Sequence, residues 1–241
     1  IPFMPISFFR DHLVMTGGGE AERIFLSSGT TAIRGDTGEM KNQADTEERN
    51  QSGVVNPKRS RHEVKSLTLY NESLERTFRM FYGDPGGYAI TGLLPSYLER
   101  EDSSLIYMVN RLMQLSGNDA GGFFPDDHAA LLQTIEKARA ARLKVLLMGV
   151  TFALLDLAEK YPVDLSDVII METGGMKGRR REMIREEVHE IIMKAFGVSS
   201  VHSEYGMTEL LSQAYSRGDG IFRTPPWMKV LIRDSHDPMS H

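Results

Sequence analysis

"LKVLLMGVTFALLDLAEKYPVDLSDVIIMETGG" occupies residues 143–175, and its reading decides the fold. Residues 143–150 form an apolar run of strand length, continuous rather than alternating, as a strand covered on both faces requires. Residues 151–161 have helical spacing, and residues 167–173 form a second apolar run that ends on Glu172, Thr173 and two glycines. A strand, a helix-length crossover and another strand make the unit that joins two parallel strands.

The same alternation extends in both directions. Helical patterns are expected over 64–81, 103–115 and 126–142, with a strand over 87–95. The 126–142 stretch opens on acidic residues and closes on basic ones, as the helix dipole prefers. Further on, Met183, Ile184, Val188, Ile191, Ile192 and Ala195 recur at helical spacing, and Gly197 supplies a stop. "VSSVHSEYG" (198–206) and "WMKVLIRD" (227–234) read as two further short strands, with Trp227 anchoring the second. The fold class expected is α/β, with mixed or parallel sheets flanked by helices.

Bulk composition narrows the function classes. The chain has 241 residues, 41% hydrophobic and 25% charged, with a formal net charge of -5. That balance argues against a nucleic-acid surface, which needs concentrated positive charge. The short basic cluster Lys177, Arg179, Arg180 and Arg181 runs straight into glutamates and reads as a solvated helix start. No cysteine is present, so thiolate chemistry and disulfides are excluded within these residues, and a cytoplasmic location is expected. No apolar run is long enough for a membrane span. His12, His62, His128, His189 and His202 are scattered without metal-ligand spacing, which argues against a zinc site. His189 reads as solvated, on the polar side of its helix. Core filling accounts for the 14 methionines.

Three loops carry the unusual residues, each following an apolar strand, where ligands in such sheets bind. "SSGTT" (27–31) follows "RIFL" and offers hydroxyls, backbone N–H groups and a glycine, a set able to wrap phosphates. It lacks the Gly-Lys-Ser/Thr of the lysine-bearing phosphate loop. "ETGG" (172–175) lets backbone approach a flat ring. "EYGMTE" (204–209) combines an aromatic ring, a glycine, a hydroxyl and a carboxylate, which can stack on a base, bond a phosphate oxygen and hold Mg²⁺. Each alone is also consistent with an ordinary turn.

Taken in order, "SSGTT", "ETGG" and "YGMTE" resemble the three nucleotide-binding signatures of the adenylate-forming superfamily. The flanks "IPFMPISFFRDH", "LLPSYLEREDSSLIYMVNRL" and "PPWMKVLIRD" are similar to its acyl-protein synthetase branch (LuxE-type), the fatty-acid-activating part of bacterial luminescence systems. The resemblance implies an incomplete N-terminal (AMP-binding) domain over 1–241, with the small C-terminal domain absent. It also implies ATP and Mg²⁺ as cofactors and activation of a carboxylic acid, expected to be a fatty acid, to an acyl-adenylate. The acyl group would pass to a thiol of coenzyme A or of a protein cysteine outside this chain, with an acyl reductase or transferase as a possible partner. On this resemblance Ser27, Ser28, Gly29, Thr30 and Thr31 wrap the phosphates. Gly174 and Gly175 lie along the adenine, and Tyr205 with Gly206 rests against its face. Thr208 contacts the α-phosphate and Glu209 ligates Mg²⁺. Tyr97 and His202 are candidates for the substrate pocket.

The chain departs from that pattern in places. Ala32 stands where relatives have glycine, and residues 32–57 are a polar insertion expected to be a disordered or mobile loop. The ribose-gripping aspartate and the catalytic lysine of the C-terminal domain fall beyond this stretch. Two alternatives therefore stay open: a coenzyme A ligase of the phenylacetate-activating kind, and a catalytically degenerate nucleotide-binding or scaffold relative.

Overall fold

A computed structural model describes residues 4–28, 48–49, 55–56, 59–95, 102–175 and 183–232. In chain order the elements are α1 (Phe8–Asp11), β1 (Arg23–Leu26), β2 (Glu48–Arg49), β3 (Val55–Asn56), β4 (Arg61–Val64), α2 (Leu67–Tyr82), β5 (Tyr88–Leu93), α3 (Ser104–Ser116), β6 (Gly122–Phe123), α4 (His128–Ala140), β7 (Lys144–Gly149), α5 (Thr151–Lys160), β8 (Ile169–Glu172), α6 (Arg185–Phe196), β9 (His202–Tyr205) and β10 (Ala214–Ser216). The chain is α/β. A six-stranded sheet runs in the order β10-β9-β8-β7-β5-β6, all parallel except the edge strand β10.

The opening stretch folds as its pattern requires. Every residue of β7 after Lys144 is buried, as is β8 from Ile170 onward, because both strands lie inside a parallel sheet. Between them α5 is covered almost all round, with Phe152, Leu154, Leu155 and Leu157 in the core. The step from β5 to β6 runs one way along the sheet, and the steps from β6 through β9 run the other. Right-handed crossovers then place α3 on one face and α4, α5 and α6 on the opposite one. Alongside α3 lies α2, and Phe25, Tyr70 and Tyr107 from β1, α2 and α3 meet with ring centroids 5.2–5.6 Å apart.

Helix ends follow local chemistry. Ser66, Ser103 and Asp127 cap α2, α3 and α4 by accepting from backbone N–H groups one turn on. Gly117 and Gly197 close α3 and α6 in the left-handed conformation. Ser66 also sets a correction: the helix expected from residue 64 starts at Leu67, because Val64 pairs with Arg23 in a two-stranded sheet of β1 and β4.

One more expectation fails. Residues 227–232 form no strand; the Trp227 indole N–H instead donates to Ser73 Oγ and Ser212 Oγ at 3.1 and 3.2 Å. The strand that does close this edge is β10, which pairs with β9 and takes an isolated bridge from Arg223. Of the insertion 32–57, only β2 and β3 are described, paired antiparallel, so its expected disorder lies outside the described residues. The basic cluster at 177–181 lies outside them as well. No helix among the described residues is long and apolar enough to cross a membrane.

Candidate functional site

A cleft of about 140 Å³ opens at the carboxyl ends of the parallel strands, beside α2 and α3. Ser28 reaches it from the loop after β1, Thr173 from the loop after β8, and Gly206, Met207 and Thr208 from the loop after β9. Each of the three loops singled out in the sequence thus contributes to the lining of one cleft. Ser103, Ser104 and Leu105, at the start of α3, also line it, together with Leu26, Tyr70 and Met108.

The first loop is held by its own neighbours. Ser27 N–H donates to the Ser60 carbonyl at 2.9 Å, and Ser27 Oγ accepts from Ser60 N–H at 3.0 Å. Arg59 donates to the Ser27 carbonyl at 2.6 Å and to Asp102 Oδ2 at 2.8 Å, while Leu26 N–H bonds the Asp102 carbonyl. Ser27 therefore serves as a tie between the ends of the insertion, and Ser28 is the residue that faces the cleft. Gly29, Thr30, Thr31 and Ala32 lie outside the described residues.

The second loop begins with Glu172, buried at the end of β8. Its carboxylate accepts from Thr151 Oγ at 2.5 Å and Ser203 Oγ at 3.4 Å, and lies 3.5 Å from His189 Nε2 and 3.9 Å from Arg185. Burial alone would raise its pKa. The hydrogen bonds from His189 and Thr151, with the charges of His189 and Arg185, outweigh burial and hold it below the usual carboxylate range. His189 is therefore buried against Glu172 rather than solvated, since α6 turns that side of its surface to the sheet. Gly174 and Gly175 follow with φ of 77° and 101°, a region other residues rarely adopt, and their carbonyls accept the N–H groups of Thr151 and Phe152.

The third loop is tied to the first by His62 of β4. His62 is 8% exposed, and its Nδ1–H donates to the Thr208 carbonyl at 2.7 Å, which fixes the tautomer. Tyr205 is exposed, with its ring edge-on to Phe222 and its hydroxyl 3.2 Å from Met207 Sδ. Glu209 is half-buried and is not among the residues lining the cleft. His202 does not reach the cleft: its Nδ1 meets the Tyr82 hydroxyl at 3.0 Å, and burial, then the charge of Arg217, lowers its pKa. Tyr97 lies outside the described residues.

Two lining residues had no assigned role from sequence. Glu204 and Gln213 are 8% and 4% exposed and both face the cleft. Burial pushes the Glu204 carboxyl up to about 8. A Cβ built on Gly206 would sit 2.5 Å from Glu204 Oε1, so a glycine there leaves room for that carboxyl. The signal for Glu204 was present as a carboxylate inside a predicted strand; Gln213 gave none. No group of three His, Cys, Asp or Glu side chains poised for a metal exists among the described residues. No protein-family model, curated protein or solved structure matches the chain.

Proposed function

We propose that the cleft activates a carboxylic acid with ATP, forming an acyl-adenylate for later transfer to a thiol, within the N-terminal-domain architecture of adenylate-forming enzymes. The observation that carries this reading is the meeting of Ser28, Thr173 and Thr208, from three separate loops, in the lining of one cleft.

The donor set suits the chemistry. When bound, ATP supplies an α-phosphorus that a carboxylate oxygen can attack, with pyrophosphate leaving. The hydroxyls of Ser28 and Thr208 supply hydrogen bonds where charge grows on phosphate oxygens, and a preorganised donor costs no rearrangement at that moment. His62 fixes the backbone of the Thr208 loop, so the hydroxyl is held rather than searching. Glu209, next to Thr208 but outside the cleft lining, would have to turn toward bound phosphates to offer the single carboxylate that Mg²⁺ often takes alongside phosphate oxygens. Tyr205, exposed beside Gly206, would present a ring face to a purine.

Acid-dependent exchange of labelled pyrophosphate into ATP tests this directly. Exchange above the acid-free background is expected, falling at least about tenfold in Thr208→Val, the loss of one transition-state donor. Absence of exchange with every acid, together with no thermal stabilisation by ATP and Mg²⁺, would refute the reading.

A further inference from the structure

The side of β9 and β10 that looks onto α2 carries polar groups the fold leaves unused. Glu204 and Tyr215 are direct cross-strand partners, and Gln213 lies two residues before Tyr215, on the same face by strand alternation. Glu204 makes no hydrogen bond or ion pair with any described residue, and the buried atoms Gln213 Oε1 and Tyr215 Oη have no hydrogen-bond partner among the described residues. Glu204 and Gln213 are more than nine-tenths buried, and both line the cleft. Buried acceptors without donors are costly to keep and call for a specific explanation. One carboxyl and one amide oxygen are too few for a metal cage, but they suit a group that brings several N–H donors.

Other residues lining the cleft have the reverse character. They belong to the start of α3, a helix of 13 residues, where Ser103 caps Ile106 N–H at 3.4 Å and Ser104 and Leu105 line the cleft. First-turn N–H groups lack partners within a helix, and the positive end of the dipole favours an anion.

We propose that the cleft binds a zwitterion, its carboxylate toward the start of α3 and its ammonium on Glu204 and Gln213, so that the acid activated is a small amino acid. This rests on the carboxylate-activation reading above. A long unbranched acid would instead lay methylene groups over the Glu204 carboxyl and leave the buried Gln213 oxygen unpaired. Protonation follows from the same geometry. With its carboxyl pushed up to about 8 by burial, Glu204 carries a proton at neutral pH, and an ammonium placed against it favours the ionised form. Binding therefore expels a proton. The titratable groups that face Glu204 are Tyr70 and Tyr82 of α2 and Tyr215 of β10, all held above their ordinary value by burial. His202, two residues earlier, is kept neutral by burial and Arg217, so the proton comes from Glu204.

Calorimetric titration at pH 7 in two buffers of different ionisation enthalpy tests the proposal. The probes are L-alanine against propanoate and L-norleucine against hexanoate. The amine-bearing member of at least one pair is expected to bind about tenfold or more tightly, as a charge-assisted hydrogen bond allows, and to release close to one proton. Glu204→Gln should abolish the proton release and most of the preference without lowering Tm, and Gln213→Leu should weaken the preference independently. Equal affinity within both pairs, preference for the deaminated acids, no binding by any probe, or a preference unchanged in Glu204→Gln overturns the proposal. Pyrophosphate exchange run in parallel separates the two readings. Exchange driven by hexanoate alone removes the amino-acid inference and keeps activation. Amine-selective binding without any exchange keeps the site and removes activation.

Discussion

Glu172 and Glu204 end neighbouring strands and sit in opposite electrostatic situations. Glu172 shares its face with Ser203 and gathers donors from Thr151 and His189; Glu204 points to the other face and gathers none. Their pH signatures have opposite signs. Glu172, held below its ordinary value of 4.5, contributes stability present above that pH and lost as pH falls through its lowered pKa. Glu204, raised to about 8, binds its proton in the folded state over a range where the unfolded chain has released it. Stability from this group is full below 4.5 and declines as pH rises toward 8, by an upper bound of roughly 5 kcal/mol for the whole shift. Urea unfolding at pH 5 and pH 8 should show the loss in the wild type and a much flatter response in Glu204→Gln; equal slopes would argue that the carboxyl is not buried and unpaired. Thr151→Val removes the shortest bond to Glu172 and should cost about 1–3 kcal/mol by the same melts.

At the scale of elements, the β1–β4 pair joins two of the three loops. Arg59 and Ser60 clamp Ser27 at one end, and His62 carries the Thr208 carbonyl. A long connection between the paired strands β1 and β4 leaves its ends in place, a closure whose entropy cost rises only slowly with length. His62→Ala should raise the KM for ATP about tenfold, whereas His62→Asn, whose amide can take the place of Nδ1–H, should restore most of it. Gly174→Ala, at φ 77°, should destabilise by about 1–2 kcal/mol in thermal melts. The strands and helices from 87 to 197 were legible in the sequence because buried parallel strands and amphipathic helices have different periods. Residues 227–232 misled because alternation reports a face to bury and not whether a partner strand is present; Trp227 found serines of α2 and the loop before β10 instead. His189 misled for a related reason, since the polar side of α6 includes a residue that the buried charge of Glu172 draws inward.

For the whole molecule, the consequence of the topology is convergence. The parallel strands β8 and β9 bring Thr173 and Thr208 to one end of the six-stranded sheet, and β1 of the separate two-stranded sheet delivers Ser28 to the same cleft, although the three are far apart in sequence. That much was legible from loop positions alone. The acceptor pair Glu204 and Gln213 was not, because it depends on the β9–β10 pairing, and no pattern announced β10. The central claim is that the three loops act as one activating site. Its most direct measurement is the acid-dependent pyrophosphate exchange rate of Ser28→Ala, Thr173→Val and Thr208→Val beside the wild type, with Trp227→Phe as a control outside the cleft. The account predicts losses of about tenfold or more in kcat/KM for Thr208→Val and smaller but clear losses for the other two loops, with the control unchanged. Exchange that proceeds at the wild-type rate in all three loop variants would contradict it.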